Sequence, residues 1–275
     1  MRSRSAPKRL TLAQCVLLAV VVSYVGIVLL IPVGAIVVYA LADGVQPLVD
    51  ALHNTNVLHS LMLSFTLALI ALVANGILGV GGALLLARHR FFGRRFLDAL
   101  VDLPLAVSPV MTGLAFLLLF GRDGWFAPLL NAAGWKVTFA FPGLVIATLF
   151  VTFPFTIREV GHTLEELGTT EEEAAMTLGA SPFATFWLVT LPNIRYGLGY
   201  GILLTTARAL GEFGAVLVLG GAISGQTETA TTFIYNALEE RQDAAAYSMT
   251  LILVIASVLL LVGLEWMKRQ RKKEV

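Results

Sequence analysis

Residues 170–192 read TEEEAAMTLGASPFATFWLVTLP and lie between two long apolar stretches of the chain. Thr170 followed by Glu173 predicts a capping box, in which a hydroxyl and a carboxylate each satisfy a free amide at a helix start. Gly179 stands where a helix ends in a left-handed residue, and Ser181-Pro182 stands where another helix begins. The stretch therefore predicts two short helices joined by a tight turn.

The chain on either side of this stretch has the composition of a membrane protein. Of its 275 residues, 57% are hydrophobic and 13% are charged, and the mean hydropathy is +0.82. Soluble domains carry about 25% charged residues. The composition therefore disfavours a soluble domain and favours a chain that lies mostly in lipid.

Six uncharged or nearly uncharged intervals are long enough to cross a bilayer, which takes about 20 apolar helical residues. The first is too long for the apolar region of a cleaved signal peptide, which spans about 7–15 residues, and Pro32 is expected to bend it. The predicted spans lie within residues 10–42, 60–86, 103–121, 137–157, 196–220 and 244–264, with a further short helix at 231–238. We expect an all-α polytopic membrane protein, with residues 1–275 forming one domain and its core at about 55–265.

The lysines and arginines predict the orientation of these spans. Fifteen of the 19 fall in the two termini and in alternate connections, three fall in the remaining connections, and Arg208 falls inside a span. Positive residues accumulate on the cytoplasmic side of membrane proteins. We therefore expect both termini and the 158–195 connection to be cytoplasmic.

Two ionisable residues lie inside the fifth predicted span. A charged residue in the hydrocarbon costs at least about 2.5–3.5 kcal/mol, and such residues often mark transport paths. Arg208 and Glu212 are four residues apart, so they share a helix face and can neutralise each other. The pair is either structural or part of a translocation path or gate, to which Gly211, Gly214 and the Ser108-Pro109 pair are also assigned.

The 170–192 stretch resembles the EAA loop of ABC-importer permeases. The resemblance rests on Glu173-Ala174-Ala175, a glycine four residues later and a Val-x-Leu-Pro ending. It implies a type I ABC-importer permease fold and a loop whose helices sit in a groove of a cytoplasmic ATPase dimer. The residues assigned to ATPase coupling are Glu173, Ala174, Ala175, Leu178, Gly179, Val189, Leu191 and Pro192.

Other motifs resemble the sulfate/thiosulfate permeases of the CysW type. They are Asp102-Leu103-Pro104, residues 106–110, residues 120–126 and residues 208–216. The resemblance implies sulfate or thiosulfate transport across a bacterial-type inner membrane. It also implies a T-type permease as heterodimer partner and a periplasmic sulfate-binding protein. The 208–214 motif is shared with molybdate permeases, so a molybdate or tungstate permease and a homodimer remain open.

The sequence contains no phosphate-binding loop of the Gly-x-x-x-x-Gly-Lys-Ser/Thr type. ATP and Mg²⁺ are therefore expected on a partner ATPase, with no cofactor and no enzymatic activity in this chain. Cys15 is the one cysteine, so it can form neither an intrachain disulfide nor a thiol-based metal site. Membrane lipid is an expected partner and nucleic acid is not. An ion-gradient-driven anion transporter remains the alternative from another class.

Overall fold

The computed structural model describes residues 11–42 and 44–274, without the side chains of residues 264 and 267–274. All regular structure in this part of the chain is helical, which confirms the predicted all-α fold. The basic residues Arg2, Arg4, Lys8 and Arg9, which entered the orientation argument, lie outside it, as does Leu10. The helices are α1 (Leu12–Ala40), α2 (Gln46–His53), α3 (Thr55–Arg88), α4 (Arg94–Ala106), α5 (Pro109–Phe120), α6 (Ala127–Ala133), α7 (Phe141–Leu167), α8 (Thr170–Thr177), α9 (Pro182–Thr185), α10 (Leu191–Leu210), α11 (Gly214–Gly220), α12 (Ala230–Glu239) and α13 (Asp243–Glu274).

Four single helices, α1, α3, α7 and α13, are long and apolar enough to cross a membrane. Two bent pairs of helices bring the total to six if each pair forms one span. The first pair is α4 and α5. The second pair is the continuous helix Pro182–Leu210, which includes α9 and α10, and α11. The structure thus gives four to six candidate spans, and the predicted number of about six is reached when each bent pair counts as one span.

The third predicted span, 103–121, is wrong as one continuous helix. The chain bends by 112° between α4 and α5, and both Val107 and Ser108 have extended backbones. Pro109 explains the break, because a proline ring disfavours a helical conformation in the residue before it. Pro109 then starts α5 as its first residue, where the missing amide costs nothing.

The fifth predicted span, 196–220, also differs from the structure. Its helix begins at Pro182, continues through a π-helical turn at Phe186–Thr190 and ends at Leu210, and α11 follows at an angle of 53°. The fourth span continues ten residues beyond its predicted end at 157, to Leu167. Charged residues do not limit these helices, because α7 continues past Arg158 and α10 includes Arg195.

Three helices, α3, α7 and α10, form the centre of the bundle. Small residues allow their close approach: a side chain at Gly79 would collide with Thr156, and one at Gly201 would crowd the Thr156 backbone. Two interhelical hydrogen bonds add to this packing, from Asn75 Nδ2 to Thr152 Oγ1 at 2.7 Å and between the Thr156 and Thr205 hydroxyls at 2.9 Å. Small residues and hydroxyl contacts of this kind are typical of helix packing in membranes.

The two ends of the bundle differ in charge. The end that carries Arg88, Arg94 and Arg195, called the basic end below, holds the end of α3, the end of α7 and the start of α10. At the opposite end, α12 lies within one residue of its predicted bounds, and Ala230 N donates to Ser64 Oγ at 2.8 Å. The candidate coupling residues all belong to the basic end.

Candidate functional site

The helix α8 begins one residue earlier than the sequence predicted. Thr169 is its N-cap, and the predicted capping box between Thr170 and Glu173 is absent. Instead, Thr169 Oγ1 donates to Glu173 Oε1 at 2.6 Å, and Glu173 N donates to Thr169 O at 2.9 Å. Glu173 therefore stabilises the first turn of α8 through Thr169, and the prediction of a Thr170 cap is wrong.

The turn after α8 follows the prediction for Gly179. Its φ is +92°, a left-handed conformation that glycine adopts without steric cost. Gly179 N donates to Met176 O and Ala180 N donates to Ala175 O, both at 3.0 Å. These two bonds form a Schellman motif, which satisfies the last free carbonyl groups of α8.

The second helix of the loop starts at Ser181 as predicted. Ser181 Oγ accepts from Ala184 N at 3.2 Å, and Pro182 follows at the first helical position. The chain then continues through the π-helical turn, where Leu191 N donates to Phe186 O. A proline has no amide to donate to the carbonyl four residues earlier, so a wider turn just before Pro192 keeps the helix continuous into α10.

An arginine at the end of α3 holds the loop against the bundle. Arg88 Nε lies 2.9 Å from Glu172 Oε2, and its two terminal nitrogens donate to Leu164 O at 3.0 Å and Gly168 O at 2.6 Å. Thr190 Oγ1 donates to Glu172 Oε1 at 2.9 Å. One guanidinium thus caps the end of α7 and fixes α8. The sequence analysis missed both Arg88 and Glu172, and only the run of three glutamates at 171–173 offered a signal.

The outer surface of the loop is apolar. Leu178 is 89% exposed and Phe183 is 73% exposed, and Met176, Trp187 and Leu188 are also exposed. The Phe183 and Trp187 rings lie 6.1 Å apart. Apolar side chains grouped on a polar end of a protein mark an interaction site. We name this surface, formed by Met176, Leu178, Phe183, Trp187 and Leu188, the apolar loop surface.

The predicted coupling residues fall into two groups in the structure. The exposed group includes Leu178 of the apolar loop surface and consists of Glu173, Ala174, Leu178, Gly179 and Pro192. Ala175, Val189 and Leu191 are half-buried, and Leu191 packs against the core cluster that contains Ile194. The second group therefore supports the loop from within.

The ionisable residues of the fifth span form the expected pair. Arg208 Nη1 lies 2.7 Å from Glu212 Oε2, with the Glu212 side chain 1% exposed and the Arg208 side chain 31% exposed. Glu212 Oε1 accepts from Ala215 N at 2.9 Å, and Glu212 O accepts from Thr231 Oγ1 at 2.6 Å. Glu212 thus joins the break between α10 and α11 to the start of α12.

The other residues assigned to a path or gate lie at the two helix breaks. Gly214 packs against the start of α5, where an added Cβ would lie 3.0 Å from Val110 N and 3.2 Å from Pro109 Cβ. Ser108 and Gly211 are both exposed. The structure therefore brings the breaks of the third and fifth spans together, with Glu212 buried beside them.

Comparison with known proteins identifies relatives that match most of the chain. The family described as "Binding-protein-dependent transport system inner membrane component" matches residues 79–273. "Sulfate permease 2, chloroplastic" of Chlamydomonas reinhardtii is 44% identical over 252 residues, covering 92% of this chain and 67% of that protein. The sulfate transport system permease protein CysW of Synechococcus elongatus is 41% identical over 252 residues, covering 92% and 88%. CysT of Salmonella typhimurium is 35% identical over 252 residues, covering 92% and 91%.

Solved structures share the fold. A bacterial alginate ABC transporter in complex with alginate pentasaccharide-bound periplasmic protein superposes with a TM-score of 0.76 at 17% identity, covering 94% of each chain. A second structure, of an ABC transporter involved in the import of the acidic polysaccharide alginate, gives a TM-score of 0.75 at 17% identity, covering 92% of this chain and 94% of that one. The arrangement of bundle and loop is thus the ABC-importer permease fold.

Proposed function

The chain belongs to the family of binding-protein-dependent transport system inner membrane components, and we propose that it is the permease subunit of an ABC importer for sulfate. The observation that carries the coupling part of this proposal is the apolar loop surface, fixed to the bundle through Arg88 and Glu172. The substrate is inferred from the relatives, since CysW and CysT are both named as sulfate transport permeases.

A partner ATPase dimer supplies the energy in this proposal. Binding of ATP and Mg²⁺ is assigned to that partner, and no cofactor is assigned to this chain. The apolar loop surface docks into the ATPase, and the contacts of Glu172 with Arg88 and Thr190 pass a displacement of the loop to α3, α7 and α10. Packed helices move as units between discrete arrangements. A loop that is fixed rigidly to these helices can therefore move together with them.

We assign the basic end to the cytoplasm. The bias of 15 lysines and arginines against three supports this orientation and places both termini inside. Residues 221–242 then face outward with α12. Reporter fusions after residue 275 and within 221–229 should give cytoplasmic and external signals respectively, and the same side for both would contradict the orientation.

A second permease subunit is assigned to the open face of α5. Val110, Met111, Leu114 and Leu118 are exposed on this helix, next to the meeting point of the two helix breaks. The proposed partner at this face is a T-type permease, which is a relative of the CysT proteins. This second permease would complete the translocation path. A periplasmic sulfate-binding protein would deliver the anion at the opposite end, as the complex of the alginate transporter with its periplasmic protein illustrates.

Purification of the intact complex tests these partners together. Mass spectrometry of a tagged preparation should show this chain, a different permease, an ATPase and a binding protein that carries sulfate. A preparation with two copies of this chain and no second permease would contradict the heterodimer. Bound molybdate or tungstate in place of sulfate would move the assignment to the alternative substrate.

A further inference from the structure

The connection between α3 and α4 carries a second cluster of side chains that the coupling mechanism does not use. Residues 90–96 read Arg-Phe-Phe-Gly-Arg-Arg-Phe, and Gly93 turns the chain with a φ of +90°. A surface cleft of about 440 Å³ opens here, lined by Arg90, Phe91, Phe92, Gly93, Arg94, Arg95 and Asp98. We name these residues, together with Phe96, the basic aromatic cluster.

The three arginines of this cluster lack the partners that the neighbouring arginines have. Arg88 is bound to Glu172 and to two carbonyl groups, but among the residues described by the structure neither Arg90, Arg94 nor Arg95 has an ion-pair partner. The one carboxylate in the cleft is already engaged, because Asp98 Oδ1 lies 2.6 Å from Arg158 Nη1. Within the part of the chain that the structure describes, the cleft therefore has three arginines and no carboxylate paired with any of them.

The apolar members of the cluster are exposed and continue along one side of α4. Phe91, Phe92 and Phe96 are exposed, and Leu100 and Leu103 follow Phe96 four and seven positions later, also exposed. Because α4 is bent by 112° from α5, both helices cannot run along the membrane normal. A short helix with basic residues at its start and exposed apolar residues along one side is typical of a helix at the membrane interface.

We propose that the basic aromatic cluster binds the phosphodiester headgroup of an anionic phospholipid, with the three arginines contacting the phosphate and the phenylalanines contacting the upper acyl chains. Free inorganic phosphate shares the headgroup's chemistry, but it would leave the phenylalanines without a partner. Basic pockets beside membrane helices are known to select anionic headgroups. The cluster lies at the basic end, so its lipid would belong to the cytoplasmic leaflet, and this one point rests on the proposed function.

Native mass spectrometry of the purified full-length chain, titrated with phosphatidylglycerol, tests this site. The triple variant Arg90→Gln/Arg94→Gln/Arg95→Gln should bind phosphatidylglycerol on the order of 100-fold more weakly, since each basic residue near an anionic surface contributes about fivefold. Binding to the wild-type chain should weaken as salt is raised. Phosphatidylcholine should bind weakly to both proteins.

Two further variants complete the test: a charge-matched control and a milder arginine variant. Neutralising Arg122, Lys136 and Arg241, the three basic residues of the opposite connections, changes the net charge equally and should leave phosphatidylglycerol binding intact. If the triple variant does not fold, Arg90→Gln/Arg95→Gln alters two exposed side chains and should weaken binding about 25-fold.

Four results would overturn the proposal. They are unchanged phosphatidylglycerol binding in the arginine variants, equal binding of phosphatidylcholine, displacement of the lipid by inorganic phosphate at constant ionic strength, and loss of a co-purifying protein chain with lipid binding unchanged. Displacement by inorganic phosphate would assign the cleft to a free anion, and loss of a co-purifying chain would assign it to protein docking. Because lipid binding is measured without transport, failure of the sulfate assignment would leave this test unaffected.

Discussion

Arg88 Nε lies 2.9 Å from Glu172 Oε2, and this ion pair joins the end of α3 to α8 across 84 positions of sequence. Both side chains are mostly buried, and the same guanidinium also binds the last carbonyl groups of α7. The apolar loop surface is therefore attached to two membrane helices by one side chain. In the proposed function, this attachment would transmit a movement of the docked ATPase to the bundle.

Removing the charge of Arg88 should release the loop. An Arg88→Gln variant leaves Glu172 poorly compensated, and breaking a buried ion pair costs about 3 kcal/mol or more. We expect the variant to insert into the membrane but to lose most of the ATPase during purification. Arg122→Gln is the control, because Arg122 is exposed, lies in an opposite connection and has no ion-pair partner in the described chain. Equal ATPase recovery from both variants would contradict the role of Arg88.

The apolar loop surface should supply most of the affinity for the ATPase. Truncating a central aromatic anchor typically costs at least about 2 kcal/mol of binding free energy, so Phe183→Ala should weaken ATPase binding about 30-fold. Leu178→Ala should act in the same direction. Leu30→Ala removes a leucine on α1 that is 71% exposed, close to the 73% of Phe183, and should leave ATPase binding unchanged. Affinity measured between the purified chain and the ATPase checks this, and a wild-type value for Phe183→Ala would exclude the surface as the docking site.

Gly179 should be required for function because of its left-handed backbone conformation, and not because a side chain at this position would collide with neighbouring atoms. No atom lies within 4 Å of where its Cβ would be, so the cost of a substitution comes from the φ of +92° alone. A left-handed conformation costs an ordinary residue roughly 1–2 kcal/mol, and the β-branched valine should cost more than alanine. We expect Gly179→Val to abolish sulfate uptake while the membrane domain still inserts.

Gly81→Ala provides the control for Gly179. Gly81 lies inside α3 with open space around its Cβ position and no left-handed φ, so alanine should be tolerated there. Uptake at the wild-type rate by Gly179→Val would show that the loop does not need its Schellman turn.

The ion pair in the fifth span should tolerate double neutralisation better than a charge swap. Its two positions are not equivalent, because Glu212 is buried and accepts from Ala215 N whereas Arg208 is partly exposed. A guanidinium at position 212 would face a backbone donor. Arg208→Gln should therefore cost about 3–5 kcal/mol by leaving a buried carboxylate, and adding Glu212→Gln should restore much of the stability.

Thermal unfolding and uptake of these variants together separate the two roles of the pair. A folded double variant that transports sulfate identifies a structural pair. A folded double variant without uptake, or with ATP hydrolysis uncoupled from it, identifies a pair that acts in the path. If Arg208→Gln alone is as stable as wild type and transports normally, neither role holds.

The parts of the site that were predictable are those set by nearby residues. The Gly179 turn and the Ser181 cap depend on contacts within five residues, so the sequence pattern specifies them. The Arg88–Glu172 pair joins elements far apart in sequence, and no local pattern indicates it. Glu173 illustrates an intermediate case, since its stabilising role was anticipated but its partner is Thr169 instead of Thr170.

The number of candidate spans was predictable from the composition of each segment. The positions of the helix breaks were not predictable in this way. Length and hydropathy set how many segments cross a membrane. The bend at Val107-Ser108 follows from Pro109, which disfavours a helical conformation in the residue before it. The bend after Leu210 depends on Glu212, whose carboxylate binds the first turn of α11 and whose carbonyl binds Thr231.

Sulfate uptake into proteoliposomes tests the central claim most directly. The complex of this chain with its permease partner and ATPase would be reconstituted with ATP on the ATPase side and sulfate-loaded binding protein on the other side. We predict that radiolabelled sulfate accumulates only when ATP and Mg²⁺ are present, and that collapsing the proton and sodium gradients leaves the rate unchanged. Uptake that continues without ATP and stops when the gradients collapse would contradict the claim and identify a secondary transporter.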